Sequence, residues 1–308
     1  MKNFRRPAII VSAVIAALIL IPFLIPMGGY IHRIEAMANE ALGVPVKIGS
    51  LRLAFLPTPR VNAGQVVVGA QEDLTVDNVA IVPEVTSLFS DVKKIAVIKI
   101  DQPVVKQSAL DIVSRYNEKS AKSEPADTQV MIRQIVLKKA RLVWPQMQLP
   151  EFDAVLNLTD ANRPDTAEIL STDGHFKATL EPQGETQLVN VKAEGWELPV
   201  GPPLLIDQLT MEMTLHDSHL DVSKIDIDLY DGKIAGTAAL DWVKGWQLKG
   251  KLSVDHLALK EPVAKLSKST QLSGKLFGEG SYTAKANTPA LLADKLQANF
   301  RFRVDNGV

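Results

Sequence analysis

Residues 208–215 read Gln-Leu-Thr-Met-Glu-Met-Thr-Leu, so that Leu209, Met211, Met213 and Leu215 alternate with Gln208, Thr210, Glu212 and Thr214. A strict period of two puts every second side chain on one face of a strand, whereas a helix needs apolar residues three or four apart. The pattern continues through Leu220 and Val222, then Ile225, Ile227 and Leu229, with Asp226 and Asp228 between the last three. Asp231-Gly232 follows as a two-residue hairpin signal. Residues 234–240, 246–254 and 297–304 extend the series, and Asn306-Gly307 is another hairpin signal. Upstream, residues 132–144 are β-rich; Phe176, Ala178 and Leu180 alternate, as do Val189, Val191 and Ala193. Two short helices interrupt the run. One covers residues 261–266 and is opened by Pro262; the other covers 289–296, where Thr288-Pro289 supplies an N-cap and a first-turn proline. The fold class that follows is mainly β with few short helices, built as a meander of antiparallel strands with one apolar face each.

A sheet with one apolar face must cover it, and too few amphipathic helices are present to do so. A second sheet, closure into a barrel, or an apolar ligand would each serve, and alternation alone does not choose among them.

The first third is organised differently. Ile31, Ile34, Ala38, Ala41 and Leu42 lie at helical spacing, and Gly43 and Pro45 end the helix. Beyond them Val44, Val46 and Ile48, Leu51 and Leu53, Val66 and Val68, and Val79 and Ile81 alternate. Residues 83–91 read as a short helix or turn, 95–100 as strand, and 108–119 as a second helix with Leu110, Val113 and Tyr116 on one face. Residues 119–128 (KSAKSEPADT) are polar and without period, the best linker in the chain.

Residues 8–27 form a twenty-residue stretch without a charge. At 1.5 Å per residue a helix of that length spans a bilayer core of about 30 Å. Pro22 and Pro26 fall near its far end, where the interface can satisfy a freed backbone group. Lys2, Arg5 and Arg6 precede it, which orients the N-terminus to the cytoplasm. The stretch exceeds a signal-peptide core of about 7–15 residues. The nearest small-x-small triplet, Ala36-Met37-Ala38, lies beyond it in the helix that follows, so an uncleaved anchor is expected. The organisation is then residues 1–29 as tail and single transmembrane helix, 30–118 as an N-terminal α+β module, 119–128 as linker, and 129–308 as repeating antiparallel β-structure.

Across 308 residues, 34 Lys plus Arg nearly balance 35 Asp plus Glu, and all three basic residues of the tail lie ahead of the anchor. The exposed body is therefore mildly acidic and unsuited to nucleic acid. The absence of cysteine excludes disulfides, Cys-ligated zinc, iron–sulfur clusters and thiol nucleophiles. A metal site at His216-Asp217-Ser218-His219 needs both imidazoles facing one ion with further ligands nearby, but the tetrapeptide falls between two strands, where polar turn residues are expected. Asp226 and Asp228 read as the wet side of an amphipathic strand rather than an acid/base pair. Gly274, Gly278 and Gly280 lack P-loop and dinucleotide spacing, and the four tryptophans do not interleave with basic clusters. Asn157-Leu158-Thr159 fits a glycosylation acceptor that would matter only in a secretory host. Neither a catalytic residue, a metal site nor a cofactor is expected, and the chain reads as no enzyme.

The basic tail and span, Glu40-Ala41-Leu42-Gly43, and Val44-Pro45-Val46-Lys47-Ile48-Gly49-Ser50-Leu51 together resemble the AsmA family of bacterial proteins anchored in the inner membrane. Leu56-Pro57-Thr58-Pro59 and the stretch from Val79 through Pro83, Ser87-Leu88 and Ile95 to Ile100-Asp101 and Pro103 follow in the same order. Gly274, Leu276, Gly278 and Gly280 ahead of Phe302, Val304 and Asn306-Gly307 resemble the family's C-terminal module; residues 126–268 match as generic strand repeats. Family members usually continue past that last strand, so the resemblance implies a short or truncated member. It further implies a long, curved, groove-like antiparallel sheet and a role in outer-membrane maintenance through phospholipid movement across the periplasm. Leu209, Met211, Met213, Leu215, Ile225, Ile227 and Leu229 are then candidate lipid-lining residues, with packing on one another in a closed core as the alternative. Phospholipid is the expected partner, with outer-membrane or periplasmic proteins as further partners. The competing functions are an assembly scaffold acting through exposed strand edges and, more remotely, a tethered hydrolase using His216 and His219.

Overall fold

The computed structural model describes residues 28–89, 92–109, 112, 115, 130–144, 147–199, 203–266 and 272–307. The expected transmembrane helix over residues 8–27 and the linker at 119–128 lie outside the described residues, as does most of the helix expected at 108–119. No helix among the described residues is long and apolar enough to cross a membrane. The chain is mainly β, with eighteen strands and two α-helices among the described residues. It divides into two compact units, residues 1–144 with 151–164, and residues 145–150 with 165–308.

The first unit opens with helix α1 (Gly28–Leu42). Gly43 ends it in the left-handed region at φ 70°, donating its N–H to the Asn39 carbonyl at 2.8 Å. Strands β1 (Val46–Ala54), β2 (Arg60–Val68), β3 (Leu74–Pro83) and β4 (Lys93–Asp101) then pair antiparallel in sequence order. The segment read as a short helix or turn is a 3-10 helix, Val85–Phe89. Val46, Val68 and Ile112 form a buried cluster against Ala38, Leu42, Val44, Val66 and Leu74. Ala109, Ile112 and Arg115 are helical, and Ala109 and Ile112 are buried; the expected apolar side of that second helix, Leu110, Val113 and Tyr116, lies outside the described residues.

Here the meander expectation is corrected. After β5 (Val104–Lys106), strands β6 (Val130–Ile132) and β7 (Gln134–Trp144) return to pair parallel with β4, and β7 also with β5. A parallel pair needs a crossover of a dozen or more residues, and residues 107–129 are long enough to supply it. The sheet is therefore mixed. The two-residue β8 (Met147–Gln148) clusters with the second unit, and β9 (Phe152–Leu158) pairs antiparallel with β7. The sequence pattern did not signal β9 because all seven of its residues are half-buried, leaving no alternation to read.

Among the described pairings β1 has one strand neighbour, β2, and its other side is covered by α1. The Val46 N–H donates to Asn39 Oδ1 at 2.5 Å and the Ile48 N–H to Glu35 Oε1 at 2.8 Å. The spacing explains the fit. Four helical residues advance about 6 Å and two strand residues about 6.6 Å. Side chains at i and i+4 of the helix thus reach N–H groups at i and i+2 of the strand, closing an edge otherwise open to foreign strands.

The second unit is a true meander. Strands β10 (Pro164–Ser171), β11 (Phe176–Gln183), β12 (Thr186–Glu197), β13 (Leu205–His216), β14 (His219–Leu229), β15 (Gly232–Asp241), β16 (Trp246–Ala258), β17 (Lys275–Ala286) and β18 (Gln297–Asp305) pair antiparallel, each with the next. The hairpin at Asp231-Gly232 is present but offset by one. Leu229 faces Gly232 across the two-residue turn Tyr230-Asp231, whose φ angles are 48° and 56°. Gly232 instead begins β15, where a Cβ would lie 2.6 Å from the Leu257 nitrogen. Helix α2 (Lys260–Leu266) agrees with the expected helix at 261–266. Residues 289–296 differ. They form two 3-10 turns, Pro289–Leu291 and Ala293–Lys295, and the Thr288 side chain makes no cap bond although Pro289 occupies the first turn.

The edge closure is testable. Asn39→Ala and Glu35→Ala each leave one strand N–H without its side-chain acceptor, and each is expected to lower stability by about 1 kcal/mol in urea unfolding followed by circular dichroism.

Candidate functional site

The candidate site is the apolar face of the second unit. Residues directly opposite on paired strands share a face, so the registers trace rows across the whole meander. One row runs Ile169, Ala178, Val191, Met211, Ile225, Gly236, Leu252, Gly280, Phe300. The next runs Phe176, Ala193, Leu209, Ile227, Ile234, Val254, Gly278, Phe302. On the other side of the first row, Val189, Met213, Val222 and Ala238 align, and beyond them Leu215, Leu220, Leu240 and Leu248. Leu229 faces Gly232 at the hairpin end. The seven residues singled out in the sequence therefore occupy one face in adjacent rows.

A break in the alternation keeps them together. Val222 and Ile225 are three apart, which in a regular strand would place them on opposite faces. The register between β13 and β14 shifts there, leaving Ser223 and Lys224 as a bulge. Ser223 Oγ donates to the Glu212 carbonyl at 3.1 Å, and both Val222 and Ile225 are buried.

These side chains are covered sideways, by neighbours in the same layer. Leu209 packs with Ala193 and Ile206, and Met213 with Val222 and Ile225. Met211 and Ile227 are half-buried and touch both clusters, joining them into one surface. Leu209, Met213, Ile225 and Leu229 are buried, whereas Leu215 is half-buried. No large side chain among the described residues is fully buried. A two-layer core of this size would normally contain several, since a core side chain is enclosed from all sides. Toward β18 the face opens further, with Phe300 at 40% and Phe302 at 75% exposure.

Glycines in this face accept large neighbours. A Cβ on Gly236 would lie 2.5 Å from Leu252 Cδ2, and one on Gly278 would lie 3.3 Å from the Phe302 Cβ. Cβ atoms on Gly250 and Gly280 would run into the Tyr282 and Phe300 rings. Burial pushes the Tyr282 phenol above its ordinary pKa. Beyond the absent phosphate spacing and the family resemblance, Gly280 carries a signal that the pattern alone does not reveal: it stands opposite Phe300, whose ring lies over it.

The opposite face is polar. Lys233 binds Asp226 at 2.8 Å and lies 3.9 Å from Asp228, and the Asp226 carboxylate is the first cause holding the Lys233 ammonium above its ordinary pKa. This pair of aspartates is thus engaged with a lysine. Lys224 and Glu212 lie 3.5 Å apart on the same face. His216 and His219 face each other across the Asp217-Ser218 turn, with His219 Nδ1 3.7 Å from Asp241. No metal-holding group of three or more His, Asp or Glu occurs among the described residues.

A family model described as the AsmA family matches residues 108–308. No curated protein and no solved structure matches.

Overpacking the face tests its construction. Gly280→Val drives methyl groups into the Phe300 ring and the Asn299 carbonyl, and is expected to cost about 1–3 kcal/mol in thermal unfolding. Ser281→Val, one residue along on the polar face, should cost less.

Proposed function

This chain belongs to the AsmA family, and from that premise we propose that it holds or conducts phospholipid along the apolar face of its second unit, supporting outer-membrane assembly without being an enzyme. Residues 8–27 anchor it in the bacterial inner membrane, with the N-terminus in the cytoplasm and the body in the periplasm. The observation that carries the reading is an apolar face continuous over nine strands whose buried clusters, among the described residues, are made by neighbours in the same layer. Eight inter-strand gaps of about 4.8 Å make that face about 38 Å long. The acyl layer of one leaflet, half of a core of about 30 Å, is shorter. An acyl chain laid along the rows would gain about 0.8 kcal/mol per buried CH₂. Leu209, Met211, Met213, Leu215, Ile225, Ile227 and Leu229 supply the middle of such a groove. Any direction of movement then comes from partners or gradients.

The second reading, a protein scaffold acting through strand edges, draws on β18, which pairs only with β17 among the described residues. One experiment separates the two. Full-length protein extracted in mild detergent is expected to retain phospholipid in native mass spectrometry. Met211→Asp and Ile227→Asp, checked for retained secondary structure, should lose it because a carboxylate in an acyl-lined surface is left unsolvated. An empty wild-type protein, or variants that keep lipid but lose protein cross-links, would favour the scaffold.

A further inference from the structure

The first unit carries a cleft of about 750 Å³ that is distinct from the apolar face and built of different chemistry. Its floor follows from register. Arg52, Asn62, Ala80 and Lys99 lie opposite one another in one row across β1 to β4, and Ser50, Gly64 and Asn78 form the next row. Arg60 stands one row further on, and Pro57 and Thr58 from the β1–β2 turn complete the wall. The centre is made of small residues, with Ala80 only 7% exposed although it lies on this polar face. A Cβ on Gly64 would lie 2.6 Å from Ser50 Oγ, so the glycine leaves room for that hydroxyl.

The charge is one-sided. No carboxylate lines the cleft, and none of Arg52, Arg60 and Lys99 has an ion-pair partner among the described residues. Elsewhere in the same unit the basic residues Arg133, Lys138 and Arg141 each stand against an acid, Glu84, Asp153 and Glu151. The nearest acid in the floor rows, Asp101, lies opposite Asn78 and accepts a hydrogen bond from its Nδ2 at 3.1 Å.

We propose that this cleft is a binding site for a phosphate monoester carried on an organic group. Two guanidinium forks and one ammonium match the roughly −1.5 to −2 charge of such a phosphate and offer bidentate donors to its oxygens. A single carboxylate would leave most of that positive charge uncompensated. The volume falls within the roughly 300–1,000 Å³ of organic-ligand pockets and exceeds what bare phosphate needs. Ser50, Thr58, Asn62 and Asn78 are placed to bond the polar groups of the carrier. The site stands whether or not the second unit carries lipid, because none of its residues belongs to that face.

Isothermal titration of the full chain in an uncharged detergent tests it, with glycerol 3-phosphate and dihexanoyl phosphatidic acid as probes. The two share the phosphate monoester and differ in acyl chains. Binding of both, weakening as salt rises, is expected. Binding of only the soluble ester assigns the site to a free metabolite, and binding of only the lipid assigns it to a headgroup; either supports the phosphate. Arg52→Gln, Arg60→Gln and Lys99→Gln should each weaken binding about two- to fivefold, as removal of an exposed charge contact does, and the triple variant about 10–100-fold. Lys177→Gln in the second unit should leave the affinity unchanged. No binding of either probe, unchanged affinity in the triple variant with an intact circular dichroism spectrum, or equal affinity for succinate would overturn the proposal.

Discussion

The constraint on which the second unit depends is that, among the described residues, its buried apolar side chains find their cover within their own layer. In a sandwich, a side chain on one sheet is buried by the facing sheet. Here Leu209, Met213 and Ile225 are buried by residues beside them in the rows, on the preceding and following strands. Lateral cover is enough for a branched aliphatic or methionine side chain in the middle of the meander. It is weaker at β18, where Phe300 and Phe302 have a paired strand on one side among the described residues and are exposed. The same limitation leaves the face able to gain free energy by burying something further, and an acyl chain is chemically matched to it.

Lateral cover also dictates the exceptions to regular strand structure. The rows stay in line only if each strand keeps its apolar residues on the same side, and the bulge at Ser223 and Lys224 does this where the alternation slips. A similar shift separates Val254 from Leu257, around His256 at φ 60°. Glycines at 236, 250 and 280 do a complementary task, leaving room for the Leu252, Tyr282 and Phe300 side chains of the next strand. Each glycine weakens its own strand, and at 250 and 280 an aromatic ring restores contact over it.

The first unit solves a different problem with different means. Its sheet is mixed, and its first strand is closed by helix side chains rather than by another strand. Its polar face gathers three basic residues over small ones, in contrast to the paired charges of Arg133, Lys138 and Arg141. One unit therefore presents an apolar surface and the other a cleft lined by basic residues.

Much of this was legible in the residues alone. The period of two in residues 208–215, and its continuation into β14 to β16, is local information, since side-chain direction in a strand depends only on position along it. The stop at Gly43 and the wet side formed by Asp226 and Asp228 are local for the same reason. What the pattern could not contain was partnership. The return of β6 and β7 to pair parallel with β4, the existence of β9 with its uniformly half-buried residues, and the meeting of Glu35 and Asn39 with the N–H groups of β1 all join segments through space. The meeting of Arg52, Arg60 and Lys99 in the lining of one cleft is of the same kind, because residues on three strands come to share it only through the register. The sequence by itself determined which face of the alternating strands, β13 to β16 among them, is apolar and that no cysteine chemistry is available. The tertiary structure alone decided that, among the described residues, the buried side chains of this face cover one another sideways, because cover depends on which strands lie beside one another, and periodicity within a strand carries no record of that.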